Sequence, residues 1–282
     1  MIVPVNSFRE LPAAFGFAGR WLNMRILGFL IVFRALACAQ VNHQQPNHQA
    51  GWPCTGKERS FDPTYAKIAE ATGGHLFLFD KSEVDGMSAM VTGDMKHKET
   101  VVRAAGRIDS FVDIPIPVDS SVESLFVVAS LQCMQTMYLY DPQRTSVDPA
   151  ALGGEDRWFR AGRIAAIPHP RTGQWILRLL GTGAYFVSVQ ARTQSRLGTA
   201  TLAGPRLTVW LDPSIRGPRF RLVSAAGEHL QDVPLELAPD TAGRYEGRVD
   251  PLPAEFRVLA EWTTANDELV QRIDAHLFEG KP

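Results

Sequence analysis

Hydrophobic and polar positions alternate with a period of two in the middle of the chain. From Val112 to Val118, valine and isoleucine take every second position, and Asp113, Pro115 and Pro117 lie between them. This alternation predicts a strand that buries one face. The prolines lack a backbone N–H and therefore favour a position at the edge of a sheet.

Short apolar runs bounded by turn residues continue to the end of the chain. The runs of the first group predict strands over Leu125–Leu131, Met134–Tyr140, Gly162–Ile167, Trp175–Leu180 and Tyr185–Arg192. The runs of the second group predict strands over Leu207–Leu211, Arg219–Ser224, Val233–Ala238, Tyr245–Val249, Phe256–Thr263 and Val270–Phe278. Gly181-Thr182-Gly183 separates two runs and predicts a hairpin turn. We expect a mainly β protein with two β-sandwich domains, over residues 108–195 and 196–282, the second of them immunoglobulin-like.

A helical period appears earlier, within residues 40–107. Asp62 suits the N-cap, Pro63 suits the first helical position, and Gly73 suits a left-handed stop. The apolar run His75–Phe79 predicts a short buried strand after the helix. A small α/β segment is therefore expected before the sandwiches.

The N-terminal residues follow the pattern of an export signal. Arg25 precedes the apolar run Ile26–Phe33, and a small-residue cleavage site follows it, so we expect residues 1–39 to be removed and translation to start at Met24. In one alternative, cleavage before Cys38 leaves a lipoprotein anchored at that residue; in another, the run is a buried helix or strand. Eight apolar residues are too short to span about 30 Å of hydrocarbon, which argues against a membrane span.

Composition narrows the function classes. The chain has 282 residues, 45% hydrophobic content and a net charge of −1, which is typical of a folded protein rather than a disordered one. A neutral balance argues against a nucleic-acid binder, because such a protein needs a basic face. Together with the export-signal pattern, this leads us to expect a protein that is secreted, extracellular or periplasmic.

Two cysteines, Cys54 and Cys133, follow the expected cleavage site. In an oxidising compartment the simplest expectation is one disulfide bond between them. The alternative is that they are two unrelated buried thiols.

The sequence carries no catalytic or metal-binding signature. It has no Gly-x-Ser-x-Gly elbow, its seven histidines lack metal-ligand spacing, and the loop Gly181–Gly183 lacks the third glycine of a dinucleotide motif. We therefore expect a protein that is not an enzyme and that has no cofactor and no metal.

One cluster of side chains suits binding. Arginines and aromatic rings lie together at Arg157, Trp158, Phe159, Arg160 and Arg163, and such a mixture is suited to sugar stacking or to a protein contact. The alternative is a loop that packs its tryptophan inward and leaves its arginines in solvent.

Three segments together resemble hemicentin-like extracellular proteins. Tyr65–Phe77 resembles the last helix and strand of their von Willebrand factor A domain. The segment Gly173–Val189 resembles the β-rich domain that follows, and the runs Glu255–Ala260 and Val270–Ile273 resemble the next, immunoglobulin-like unit.

The resemblance implies an adhesive or matrix-like protein with a galactose-binding-like first sandwich. It does not bring the metal site of the A domain, which uses Asp-x-Ser-x-Ser, since the nearest string here, Asp119–Glu123, ends in glutamate. We expect a secreted, non-catalytic binding or adhesion module whose ligand is an extracellular glycan or protein. The alternatives are a structural spacer without a ligand and a secreted enzyme. No sequence motif supports the enzyme.

Overall fold

The structure is a computed structural model that describes residues 61–79, 81–86, 88, 99–264 and 266–280. The expected signal peptide (residues 1–39, with Met24 and Cys38) and Cys54 lie outside these residues. Within these residues, helix α1 (Pro63–Thr72) and a short 3₁₀ helix at Lys81–Gly86 come before the strands, and a second 3₁₀ helix lies later in the chain, at Ala150–Leu152. The strands are β1 (Glu99–Ile108), β2 (Phe111–Val118), β3 (Val122–Tyr140), β4 (Glu155–Phe159), β5 (Gly162–Pro168), β6 (Gly173–Thr193), β7 (Leu197–Ala203), β8 (Arg206–Leu211), β9 (Arg219–Val223), β10 (His229–Val233), β11 (Glu236–Leu237), β12 (Arg244–Arg248), β13 (Glu255–Thr263), β14 (Leu269–Ile273) and β15 (Phe278–Glu279).

Helix α1 has the ends that its sequence predicts. The side chain of Asp62 accepts a hydrogen bond from the backbone N–H of Thr64 at 2.9 Å, and Pro63 occupies the first turn. Gly73 ends the helix in the left-handed conformation, with φ of 66°. The helix prediction is confirmed at both ends.

The predicted strand at His75–Phe79 is wrong. Leu76, Phe77 and Leu78 are buried, but the segment pairs with no strand of the described chain. The backbone N–H of Leu78 donates to the hydroxyl of Ser130 at 3.1 Å. The run is apolar because its side chains cover the face of a sheet, where Phe77 packs in one cluster with Phe126 and Val128.

The first sandwich is one sheet folded over on itself. Its strand order is β1-β6-β3-β5-β4, and β2 also pairs with β6. The early part of β6 pairs with β2 and its later part with β1, while β3 runs along its other side. We call Phe111–Val118, Gly173–Leu180 and Thr136–Tyr140 the front layer, and the remainder of the sheet the back layer.

The predicted hairpin at Gly181-Thr182-Gly183 is wrong, because this segment is the bend between the two layers. The chain continues through this segment as the single strand β6, and Gly181 and Gly183 have φ of 144° and 96°. Both glycines let the strand bend while it stays paired. Opposite them, β3 has an irregular register between Leu131 and Cys133, so the two strands predicted on either side of Gln132 are also one.

Both layers bury their inner faces in one core. Trp175 and Leu177 come from the front layer, and Val187 and Val189 come from the back layer. The indole N–H of Trp175 donates to the carbonyl oxygen of Arg171 at 2.7 Å, so its polar atom is satisfied. The folded sheet is thus a β-sandwich, as the sequence predicts.

The second sandwich has two separate sheets, in the orders β11-β12-β8-β7 and β10-β9-β13-β14, with β15 added to β13. Read in chain order, the first sheet holds the strands A, B, E and D of an immunoglobulin-like domain, and the second holds C′, C, F and G. Phe256, Val258 and Trp262 from β13 lie in the core between the sheets. The mainly β fold with an immunoglobulin-like second sandwich is therefore confirmed.

A buried ion pair joins the two sandwiches. Arg272 on β14 donates from Nη1 to Asp119, after β2, at 2.7 Å, and both side chains are almost fully buried. Beside it, Glu268 accepts hydrogen bonds from the backbone N–H of Ser120, at 2.8 Å, and from its hydroxyl. The junction therefore has a buried ion pair with an exposed polar contact beside it.

A second buried cluster ties helix α1 to both sandwiches. Glu70 on the helix pairs with Arg103 of β1, at 3.2 Å, and with Arg257 of β13. Arg103 also donates to the carbonyl oxygens of Gly73 and Gly74 at the end of the helix, where positive charge is favourable. The helix is part of the folded unit.

Candidate functional site

The sequence-predicted binding cluster lies on the strands β4 and β5, and part of it is buried. Arg163 is 5% exposed and donates to Asp156 from Nε at 2.7 Å and from Nη2 at 2.9 Å. Its guanidinium also lies 4.4 Å from the ring centroid of Trp158, whose indole N–H donates to the same Asp156. Asp156 therefore accepts hydrogen bonds from both Arg163 and Trp158 and holds their polar groups within the fold.

The other three members point to different surroundings. Phe159 packs edge to face against Phe77 and Phe79, and the backbone N–H of Arg160 donates to Glu83 at 2.8 Å. Arg157 is the one exposed member of the five. The five residues do not share one exposed surface, and binding by them stays a prediction.

Cys133 lies buried in β3, at the bend of the sheet. Its expected partner Cys54 is outside the described residues, so the disulfide bond between them also stays a prediction.

A different surface presents aromatic rings to solvent. It is the outer side of the front layer, where Phe111 is 58% exposed and Tyr138 is 41% exposed. We call its side chains Phe111, Asp113, Tyr138, Tyr140 and Arg178 the aromatic face. The outer side of the back layer differs, because Phe77 and its neighbours cover Phe126 and Val128 there.

Strand register brings the aromatic face together. Asp113 on β2 and Tyr138 on β3 both lie directly opposite Arg178 on β6, in one row across three strands. Because side chains alternate along a strand, Phe111 and Tyr140 fall on the same side as their neighbours in this row. Residues from three distant parts of the sequence thus form one flat surface.

Arg178 is the centre of this surface. It donates to Asp113 from Nε and from Nη2, both at 2.6 Å, in a two-pronged ion pair. Its guanidinium carbon lies 5.5 Å from the ring centroid of Phe111 and 5.7 Å from that of Tyr140. The rings of Tyr138 and Tyr140 are 6.0 Å apart. Each ring has a charged or aromatic neighbour that fixes its position.

The ion pair sets the charge of the face. The hydrogen bond from Arg178 holds the pKa of Asp113 below its usual value, and the same bond raises the pKa of Arg178. Both groups are therefore charged at neutral pH, and each neutralises the other. Arg144 adds a more distant positive charge that acts on Asp113 in the same direction.

A small polar cavity lies between helix α1 and the back layer. Glu70, His75, Arg103 and Ser188 line it, which are residue types found in acid–base and nucleophilic chemistry. It encloses about 10 Å³, room for one water molecule. Since Glu70 is already paired with arginines, the cluster serves to hold the helix on the sheet.

Within the described residues, no group of His, Cys, Asp or Glu side chains is arranged to hold a metal ion. None of the helices in this part of the chain is long and apolar enough to cross a membrane.

No protein-family profile matches the chain, and no curated protein matches it. Among solved structures, it is similar to the propeptide form of the lipase BlEst2 of Bacillus licheniformis, with 12% identity and a TM-score of 0.34. The match covers 64% of this chain and 43% of the lipase chain. A similarity this weak carries no argument about fold or function.

Proposed function

We propose that the protein is a non-catalytic extracellular binding module, and that it binds a glycan on the aromatic face. The observation that carries the proposal is the exposed row of Asp113, Arg178 and Tyr138 with the rings of Phe111 and Tyr140 around it. The resemblance to hemicentin-like proteins and the export-signal pattern support a secreted, adhesive role.

The chemistry of the face suits a sugar. A pyranose ring has an apolar face of C–H groups, which packs on an aromatic ring, and a rim of hydroxyls, which both donate and accept hydrogen bonds. Tyr138 offers an exposed ring, while Arg178 and Asp113 offer donors and acceptors beside it. An exposed aromatic residue with a fixed neighbour is also the usual anchor of a binding surface.

The alternative function is a rigid spacer. The buried pair of Asp119 and Arg272 favours it, because this contact fixes the two sandwiches relative to one another. A spacer needs no ligand, so the two functions make opposite predictions in a binding screen.

The test is a glycan array together with a pull-down of extracellular proteins, using the secreted protein and the variant Tyr138→Ala. We expect a glycan ligand whose affinity falls about tenfold in Tyr138→Ala, equal to about 1.4 kcal/mol. The matched control is Trp210→Ala. Trp210 is an exposed aromatic residue (39%) on the second sandwich, so this substitution should leave binding unchanged.

Three results would count against the proposal. Absence of a ligand in both screens supports the spacer. If the pull-down captures a protein and the array shows no glycan, the ligand is a protein rather than a glycan. An equal loss of affinity in the two alanine variants moves the site away from the aromatic face.

A further inference from the structure

We propose that the aromatic face selects neutral glycans over acidic ones, and that the pair Asp113–Arg178 contacts two adjacent hydroxyls of the sugar. This inference rests on the proposed function, and it names the ligand class of the same surface. It follows from how the two charges are placed.

The ion pair leaves both donors and acceptors unused. A guanidinium has five N–H groups, and Arg178 uses two of them, on Nε and Nη2, for Asp113. The guanidinium carbon also lies 5.7 Å from the ring centroid of Tyr140. The carboxylate of Asp113 can accept more hydrogen bonds than the two it receives. Donor and acceptor therefore lie side by side, and two neighbouring hydroxyls of a sugar can use both.

Solvent reaches the pair. The side chains of Arg178 and Asp113 are 38% and 34% exposed, so a ligand can contact them without opening the fold. Phe111 on β2 and Tyr140 on β3, the two strands that flank β6 here, have ring centroids 5.5 Å and 5.7 Å from the guanidinium carbon. A sugar placed over the pair would therefore meet apolar surface around its polar contacts.

Charge excludes an acidic ligand. A carboxylate or sulfate that approached Arg178 would have to displace Asp113 or lie beside it, and either arrangement brings two negative charges together. The positive charge of Arg144 nearby is exposed and is screened by salt over about 8 Å at physiological ionic strength. A neutral sugar meets no such repulsion, since it only adds hydrogen bonds to a pair that is already neutralised.

The experiment measures the affinity of the full-length secreted protein for neutral glucan, mannan and galactan and for the acidic polymers alginate and heparin. It is made at low and at high sodium chloride. The variant Asp113→Asn keeps the size of the side chain and removes its charge. The control is Glu123→Gln, which breaks another exposed ion pair, that of Glu123 with Arg192, at 2.8 Å.

We expect the protein to bind a neutral polymer, with an affinity that changes less than about threefold with salt. Asp113→Asn should weaken this binding about tenfold, while Glu123→Gln leaves it unchanged. Circular dichroism of the two variants checks that both are folded.

Two outcomes would overturn the inference alone: binding of an acidic polymer with a steep salt dependence, or neutral binding that Asp113→Asn leaves intact. Binding of no polymer in any arm, together with an empty glycan array, would overturn the proposed function itself.

Discussion

The ion pair of Asp119 and Arg272 offers a quantitative test of what holds the two sandwiches together. Replacing Arg272 with methionine keeps most of the volume of the side chain and removes its charge. Asp119 would then stay buried, with the backbone N–H of Ser121 at 3.1 Å and the Ser121 hydroxyl as its hydrogen-bond donors. Arg272 is also held by the carbonyl oxygen of Ser195, at 3.0 Å, which would lose its donor as well.

The cost follows from burial. Breaking a buried ion pair by removal of one partner typically costs about 3–5 kcal/mol, because it leaves an uncompensated charge in a dry environment. The exposed pair of Glu123 and Arg192 has nearly the same length, 2.8 Å against 2.7 Å, but lies in solvent. Arg192→Met should therefore cost less than about 1 kcal/mol.

The pair also has a pH signature. Burial alone would raise the pKa of Asp119, but the hydrogen bond and the charge of Arg272 outweigh burial and lower it. A carboxyl whose pKa is lower in the folded state stabilises the fold above its unfolded pKa of about 3.9, and the contribution disappears as the pH falls through the folded value. Stability should therefore fall below about pH 4, and Asp119→Asn should remove this part of the fall.

Urea denaturation followed by tryptophan fluorescence measures these free energies of unfolding. The reasoning is refuted if Arg272→Met and Arg192→Met cost the same, or if Asp119→Asn has the pH dependence of the unmodified protein. A double variant, Asp119→Asn with Arg272→Met, should cost less than the two single changes added together, since it leaves no unpaired charge.

Three further predictions concern the first sandwich. Gly181→Ala should cost more than about 2 kcal/mol in urea denaturation, because its Cβ would lie 2.0 Å from the carbonyl oxygen of Cys133; Gly204→Ala, with open space around it, should cost about 1 kcal/mol. Trp175→Phe should cost about 1–3 kcal/mol in the same assay, because it removes the indole N–H donor to the Arg171 carbonyl oxygen and leaves a smaller ring in the buried core. Thiol titration of denatured, unreduced protein should find neither Cys54 nor Cys133 reactive, and two reactive thiols would exclude the disulfide bond.

The sequence was sufficient to predict which face of β2 is buried. In β2, Ile114, Ile116 and Val118 are buried, as the period of two predicts, and Asp113 and Pro115 are exposed. Local chemistry also predicted both ends of helix α1. The buried face of a strand and the ends of a helix depend on residues that are close in sequence, so both can be predicted from one sequence.

The bend of the sheet depends on pairing between distant strands. Gly181-Thr182-Gly183 has the composition of a hairpin turn and of a strand bend alike, because both need positive φ. What separates the two is that β3 runs beside β6 on both sides of the glycines. This pairing spans many residues and leaves no local signal.

The aromatic face was missed for the same reason. Asp113 and Arg178 are 65 residues apart in the sequence, and they become neighbours only through strand register. By contrast, the cluster at Arg157–Arg163 was conspicuous because its residues are close in sequence. Asp156, which directly precedes the cluster, is the ion-pair partner of the buried Arg163. An acidic residue so close to an arginine in sequence is a signal that the two pair within the fold.

The charged contacts at the junction limit how the domains of this protein can be exchanged between genes. Domains that are exchanged between genes usually have solvated boundaries, so that each can be cut out and remain soluble. In this protein, a recombination boundary between residues 195 and 197 would leave Arg272 on one fragment and Asp119 on the other. A boundary between helix α1 and strand β1 would separate Glu70 from Arg103 and Arg257. Helix α1 and the two sandwiches are therefore expected to recombine together, as one unit.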